Sequence, residues 1–447
     1  MKTPSHKKIN IHTRKHRNIK VQGKIVKKKE GWTIFEMRGG PFERGYAHGK
    51  LLWRELNRVI KCMPFLIKKS YKTSLANYLK VCKKQIYYTV RRDFPEFYKE
   101  ICGISAGAKS MGVSISADVL IAWNAIHGMH AFFKKTDGEH CSTFIATGDA
   151  TEKGDIVMAH NTHSDFVMGQ LYNIIAYVYP EEGHSFVMQI VPGFIASGSD
   201  WFITSAGIVG CESTIGDIKY VPKFGAPFFC RLRKAMQYGK TLDDYTQFML
   251  DQNAGDYACS WLFGDINTNE IMLFELGLET HHIKRTTNGL FYGMNSPFDF
   301  TLRNTETDDN DFHNLNTSSG SRNYRLDSLL NHKYYGKINA ENATIVISDH
   351  YDSYLNKEMM NTNGICRHSE LDHRGTEPFE LVGCTDGKVL NSEMAKELSF
   401  VGRFGSSCGR KFSIKDHVKK HPHHKEWSKY VEDFPQYKWT KIHNKVI

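Results

Sequence analysis

Cys141 stands where a polar turn, Asp137 to His140, meets a short apolar run, Ser142 to Ala146. After the turn TGDATEKGD, a second apolar run ends in His160-Asn161-Thr162-His163. A thiol attacks a carbonyl as thiolate, and its ordinary pKa is about 8.5, so it needs a base at neutral pH. Cutting the His140–Cys141 bond would supply one. The freed α-amino group has a pKa of about 7.7–8.0 and shares a residue with the sulfur. Nucleophile and base would then be one amino acid. His140–Cys141 is therefore a candidate cleavage site.

Acyl chemistry also needs donors for the developing oxyanion and a cation to favour the thiolate. His160, Asn161, Thr162 and His163 end the second strand of the predicted hairpin. Asn295 follows a predicted strand in YGMNSPFD, and Arg322 and Arg325 open a predicted helix in SGSRNYRL. Each also has an ordinary reading: a small buried thiol, a hydrogen-bonded histidine, a turn asparagine, solvated arginines. Spacing alone does not choose between them.

The elements that must position these residues change in kind at about residue 140. WTIFEMRG reads as a strand, and helical patterns then dominate. From Cys141 onward come apolar runs separated by turn clusters: STFIA, DIVMAH, YNIIAYVY, SFVMQIV and WFITSAGIVG. They show little alternation, which is the pattern of strands buried on both faces. A helical block, PFFCRLRKAMQYGKTLDDYTQFML, interrupts, and SWLFGDI, EIMLFEL and GLFYGM resume the strands. Residues 325 to 360 read as mostly helical, and the chain beyond about 366 as irregular. The order implies an α+β chain with sheets between helical layers. The expected divisions are a basic disordered tail (1–30), a mostly helical segment (31–140) and a sheet-rich body (141–447).

The net charge of +11 comes almost wholly from the start of the chain. Residues 1 to 30 hold eleven Lys or Arg and one acid, leaving about +1 for the rest. That distribution argues against a nucleic-acid-binding body and leaves contact with an anionic surface to the tail. No apolar run reaches the ~18 residues of a membrane helix, and no apolar core follows the basic start, so a soluble, cytoplasmic protein is the default expectation. Ten scattered cysteines form no CxxC pair.

The chain resembles the phospholipase B-like family of N-terminal-nucleophile hydrolases, which is related to the aminopenicillanic-acid acyltransferases. The resemblance runs through GGPFERGYAHGKLL, HCSTFIATGDATEKGDIVMAHNTHSDF, PGFIASGSDWFITSAGIVGCESTIG, CSWLFGDINTNEIMLFELGLE, GLFYGMNSP, ISDHYDSYL and ICRH. It implies a four-layer αββα sandwich, self-cleavage before Cys141, and a propeptide-like segment that stays associated. It implies Cys141 as nucleophile, Asn295 as oxyanion donor, Arg322 as a further catalytic residue with Arg325 as alternate, and His160 lining the site beside Cys141. Asn161, Thr162, His163 and Arg325 become candidate substrate-binding residues. The implied substrate is an acyl ester or amide, including a phospholipid, with acyl transfer as the alternative reaction. No cofactor is implied. His163 departs from the family's pattern, which has an aromatic there.

Three other readings compete. GISAG, residues 103–107, fits G-x-S-x-G, but a nucleophile elbow needs a strand before the serine and the context reads as helix. The histidines of DHVKKHPHHKEW and CRHSELDH match no helix-borne HExxH or Cys/His zinc spacing, so no metal is expected and the first segment reads as solvated. A catalytically inactive, polyanion-binding protein using its basic arm is the third.

Overall fold

The computed structural model describes residues 20–133 and 140–444, except 199, 222, 224, 309, 310, 375 and 376. Residues 1–19, most of the predicted tail, and 134–139, just before the predicted cleavage site, lie outside the described residues. The expected tail, 1–30, overlaps an ordered strand at its inner end. Gly23–Lys29 form a strand, β1, paired with β2 (Trp32–Gly39). Its lysines misled because an edge strand tolerates charge along its open side. Glu30 and Gly31 make the turn with φ of 49° and 81°, the two left-handed positions of a tight hairpin.

Among the described residues six α-helices follow: α1 (Pro41–Leu51), α2 (Trp53–Tyr71), α3 (Leu75–Gln85), α4 (Tyr87–Asp93), α5 (Pro95–Ser110) and α6 (Ala117–Asn124). GISAG lies inside α5, so Ser105 is on a helix and no elbow exists there. Its glycines serve packing. A Cβ on Gly103 or Gly107 would sit 2.3 or 2.2 Å from a main-chain oxygen of α1, and one on Gly45 or Gly49 would strike α5 at 1.9 or 2.0 Å. The two helices therefore cross with their backbones touching.

The strands are β3 (His140–Gly148), β4 (Gly154–Asp165), β5 (Ile174–Pro180), β6 (Phe186–Ile190), β7 (Trp201–Thr204), β8 (Ile208–Thr214), β9 (Cys259–Asp265), β10 (Glu270–Leu276), β11 (His281–Thr286), β12 (Gly289–Gly293), a short ribbon of β13 (Tyr351–Asp352) and β14 (Lys357–Glu358), β15 (Val382–Asn391), β16 (Phe400–Phe404) and β17 (Thr440–Ile442). They form a nine-stranded sheet, β1-β2-β5-β6-β7-β8-β9-β10-β11, and a six-stranded sheet, β12-β3-β4-β15-β16-β17. Among the strands of the described residues only β2 and β5 pair in parallel, and the helical segment, the β3–β4 hairpin and a short helix, α7 (Phe166–Gly169), lie between them.

The chain beyond residue 366 is not simply irregular. β15 is ten residues long and pairs along β4. Its sequence, VGCTDGKVLN, hides it, because buried polar residues break the apolar run.

The sheets stack face to face. Ile145, Ile156 and Met158 of the small sheet join Val209, Leu262 and Ile271 of the large one in a single core. A Cβ on Gly264 would come within 2.9 Å of Ile145 Cδ1, so any larger residue there would push on the side chains that fill the space between the sheets. On the outer face of the large sheet, Tyr245 of α9 (Leu242–Leu250), which follows α8 (Phe228–Tyr238), stacks on Phe202 at 5.8 Å and lies 5.1 Å from Phe263. On the outer face of the small sheet, Phe144, Val157 and Val389 pack with Leu326 and Val346. Leu326 lies in one helix (Ser318–Asp327) and Val346 in another (Ala340–Val346). This is the four-layer αββα sandwich, with helices preceding it.

The helical segment is welded to the body. Glu100 of α5 lies between two buried arginines, accepting from Arg44 Nη2 of α1 at 2.9 Å and from Arg233 Nη2 of α8 at 2.9 Å. Arg44 also reaches Glu96 at 3.1 Å. Burial opposes ionisation of Glu100, yet the two guanidiniums hold its pKa below the ordinary value. Residues before and after Cys141 thus share one sheet, one core and one ion network.

Candidate active site

β3 and β4 form the predicted hairpin, with Cys141 opposite Thr162 and Thr143 opposite His160. Side chains alternate along a strand, and directly opposed residues share a face. Cys141, Thr143, His160 and Thr162 therefore face the large sheet. Thr143 Oγ1 lies 2.7 Å from Cys211 Sγ of β8, which confirms that orientation. Ser142, Asn161 and His163 face the helical layer.

Cys141 is held through its main chain. Its N–H donates to Asn295 Oδ1 at 3.2 Å, and its carbonyl accepts from Arg322 Nη1 at 2.7 Å. Arg322 Nη2 donates to the same Asn295 Oδ1 at 2.9 Å, and Nη1 also reaches Ser142 Oγ at 3.1 Å. Nε of Arg322 is satisfied by Ser318. Arg322 is wholly buried. Asn295 has φ 82°, a left-handed conformation that asparagine tolerates better than most residues.

Two donors converge on Asn295 Oδ1, so the orientation of that amide is fixed by its surroundings. Its Nδ2 donates away from Cys141, to Thr214 O at 2.7 Å. In the intact chain Asn295 thus offers Cys141 its acceptor end and spends one of its two Nδ2 hydrogens on Thr214 O.

The surroundings favour a neutral thiol in the intact chain. Burial raises the Cys141 pKa well above normal, and the negative charges of Glu212 and Asp200 push the same way. The main-chain N–H of His163 and the charge of Lys388 oppose them. Burial lowers His160 well below its ordinary value. His160 is therefore neutral at pH 7 and cannot hold a thiolate by charge. Its Nε2 lies 3.1 Å from Glu212 O, bridging the two sheets. Arg322 is lowered by burial to about 9 and remains cationic at neutral pH.

The other predicted residues divide. Thr162 faces the Cys141 side and donates to Asp386 Oδ1 at 3.0 Å. Asn161 and His163 do not line that side. Asn161 Nδ2 donates to Ile347 O and Ile365 O at 2.6 and 3.0 Å, and His163 Nε2 lies 3.0 Å from Ile365 O. Period-two alternation puts them behind the strand. Arg325 pairs with Asp349 at 2.6 and 2.9 Å and covers the Tyr351 ring, so it is tied away from Cys141. His140 opens β3 opposite His163.

The sequence reading missed a buried polar row on the inner face. Asp386 lies opposite Thr162, and Lys388 opposite His160. Lys388 Nζ donates to Thr162 Oγ1 at 2.8 Å, to Gln189 Oε1 at 2.7 Å, and to Asp386. Gln189 Nε2 of β6 closes the set on Asp386 Oδ2 at 2.8 Å. The available signal was an Asp and a Lys two apart within VGCTDGKVL. Glu212, an acid inside the apolar run IVGCEST, was the second missed group. Burial raises its pKa, and Tyr257 and Thr214 donate to it at 3.1 and 3.2 Å.

Two histidine-rich stretches also differ from expectation. His417 and His424 of DHVKKHPHHKEW are buried and bonded to each other at 2.9 Å, while His423 is exposed. That segment is thus half packed, not wholly solvated. Separately, His350, Cys366, His368 and Cys408 bring one ligand atom each to within 4.8 Å of one another.

No family model matches the chain. It is similar to an uncharacterized protein of Archaeoglobus fulgidus, 24% identical over 258 residues, covering 54% of this chain. The chain spans only 42% of that relative's length. Among solved structures it overlaps in part with conjugated bile acid hydrolase from Clostridium perfringens. One mutant form of that hydrolase gives a TM-score of 0.35 at 10% identity, over 59% of this chain and 89% of that one. A second variant gives 0.29 at 10% identity, over 59% and 81%. No helix among the described residues is long and apolar enough to cross a membrane.

Proposed function

We propose that the chain is a cysteine N-terminal-nucleophile acyl hydrolase that cleaves itself before Cys141. The observation that carries this reading is the grip on the Cys141 nitrogen. The atom that cleavage would turn into an α-amine already points at a fixed acceptor, Asn295 Oδ1, 3.2 Å away. A buried arginine braces that acceptor and the Cys141 carbonyl together. Buried main-chain groups are paired everywhere, but here both partners are side chains, and the two are bonded to each other.

In the processed chain the α-amine takes the thiol proton, and Asn295 Oδ1 orients the resulting ammonium. The thiolate attacks the acyl carbonyl and forms a thioester. The ammonium protonates the departing alcohol or amine, and water then releases the acid. Cys141 is only 4% exposed in the intact chain. The substrate is an ester- or amide-linked acyl group. The phospholipase B-like resemblance includes phospholipids among such substrates, and acyl transfer to an acceptor other than water would use the same thioester.

Intact-mass and N-terminal analysis of purified protein tests this beside Cys141→Ala. The wild type should yield pieces of 140 and 307 residues (447 less 140), with Cys141 first on the larger. The variant should stay whole. A folded wild type that remains uncut across pH and time, or a variant cut at the same bond, rejects self-cleavage.

A further inference from the structure

We propose that His350, Cys366, His368 and Cys408 bind a structural zinc ion. Three stretches far apart in sequence supply them: the turn after the helix Ala340–Val346, the loop 361–368, and the turn after β16. Their ligand atoms lie within 4.8 Å of one another. His368 Nε2 is 3.5 Å from Cys366 Sγ and 3.5 Å from Cys408 Sγ. Zinc bonds of about 2.3 Å to sulfur and 2.0–2.1 Å to nitrogen, at tetrahedral angles, put S and N about 3.5 Å apart. The spacing observed is the edge of such a tetrahedron.

Two further observations point to a cation. His368 Nδ1 lies 2.8 Å from Glu370 Oε1, which fixes the ring so that Nε2 presents its lone pair to the cluster. A carboxylate behind a ligating histidine is a recurrent arrangement at metal centres. His350 Nε2 is buried and makes no hydrogen bond, although its ring is only 5.2 Å from that of His368. Two sulfurs and two imidazoles select zinc among common divalent ions, and four protein ligands make a closed, structural site. Both cysteines bind as thiolates, releasing their protons to solvent, and two thiolates balance the ion's charge.

The site would brace the back of the nucleophile hairpin. Ile365 O, beside Cys366, takes the hydrogen bonds of Asn161 and His163. Cys366 N donates to Asp349 O, and Ser407 Oγ to Ile347 O, so the three stretches already interlock. The spacing of the four residues matches no zinc motif, because β13, β14, β15 and β16 intervene.

The full chain, expressed with zinc and purified without chelator, is measured by elemental mass spectrometry. C366S/C408S and H421A/H423A are measured beside it, the second pair controlling for the separate histidine-rich stretch. About one zinc per chain is expected in the wild type and in H421A/H423A, and loss of it in C366S/C408S. Should the cysteine variant fail to fold, wild type produced with cobalt decides, through thiolate-to-cobalt charge-transfer bands and tetrahedral ligand-field bands. Folded wild type without zinc and without those cobalt bands overturns the proposal. So does zinc retained in C366S/C408S, zinc lost in H421A/H423A, or a Cys366–Cys408 disulfide in the native protein.

Discussion

Asn295 Oδ1 accepts the main-chain N–H of Cys141 at 3.2 Å, across 154 positions of sequence. That bond places an acceptor where the N-terminus made by the proposed cleavage would need one, and it separates two roles for the same side chain. If the acceptor matters, Asn295→Asp keeps it, while Asn295→Ala loses it. N295A should lower the rate of acyl hydrolysis by up to about 10²–10⁴-fold, the usual contribution of a positioned proton-transfer group, because the α-ammonium loses its fixed acceptor. N295D should lower it less. The reverse order, measured as kcat/KM on an acyl ester, would favour Asn295 as an oxyanion donor through Nδ2.

Thiol reactivity should report the charges around Cys141. Glu212 raises the thiol pKa, so Glu212→Gln should move ionisation of Cys141 to lower pH. The readout is the pH dependence of alkylation at the Cys141 peptide, followed by mass spectrometry. An unchanged or upward-shifted profile would mean that Glu212 does not act on the sulfur.

Glu100 should hold the two sides of the cleavage site together. Glu100→Ala leaves Arg44 and Arg233 buried without their shared carboxylate. Breaking a buried pair in this way costs about 3–5 kcal/mol, and the chain should unfold at correspondingly lower denaturant. After processing, the wild-type pieces should co-elute on gel filtration, because β1 and β2 belong to the same sheet as β5. Separation of the pieces under native conditions would refute that association.

Stability should fall with acid between about pH 6.5 and 4. Burial lowers both His48 and His127 to about 4 in the folded chain. His48 Nε2 accepts from Gly193 N at 2.9 Å, which requires the neutral ring. The unfolded chain protonates these groups first, near 6.5, so it binds more protons throughout the window. Each histidine then removes about 1.4 kcal/mol per pH unit until the folded pKa is reached. His48→Gln should flatten the decline by about that slope in urea titrations at successive pH. An equal slope in wild type and variant would show that His48 does not titrate on unfolding.

Much of this architecture was legible in the chain. The apolar runs after Cys141 gave the strands, since burial on both faces leaves little alternation. The stretch GEHCSTFIATGDATEKGDIVMAHNTHSD read as a hairpin with Cys141 at its mouth and His160 to His163 at the end of its second strand, but the register that puts Cys141 and His160 on one face came from the structure. β1 and β15 were obscured for opposite reasons: lysines on an open edge, and buried polar groups at the centre of a sheet.

The sequence by itself determined that Cys141 heads a strand, that a helical segment precedes it, and that amide and guanidinium side chains stand at later turns. Period-two and period-3.6 patterns depend on neighbours along the chain, so one strand or helix carries them. Tertiary structure alone decided which atom Asn295 turns toward Cys141, and that Arg322 reaches it while Arg325, about 60° around the helix, pairs with Asp349. It alone made Asp386, Lys388 and Gln189 one buried set, and gathered four metal-ligating side chains from three stretches. Those relationships depend on how the sheets stack and where distant loops meet. No local pattern encodes a distance between residues that only folding brings together.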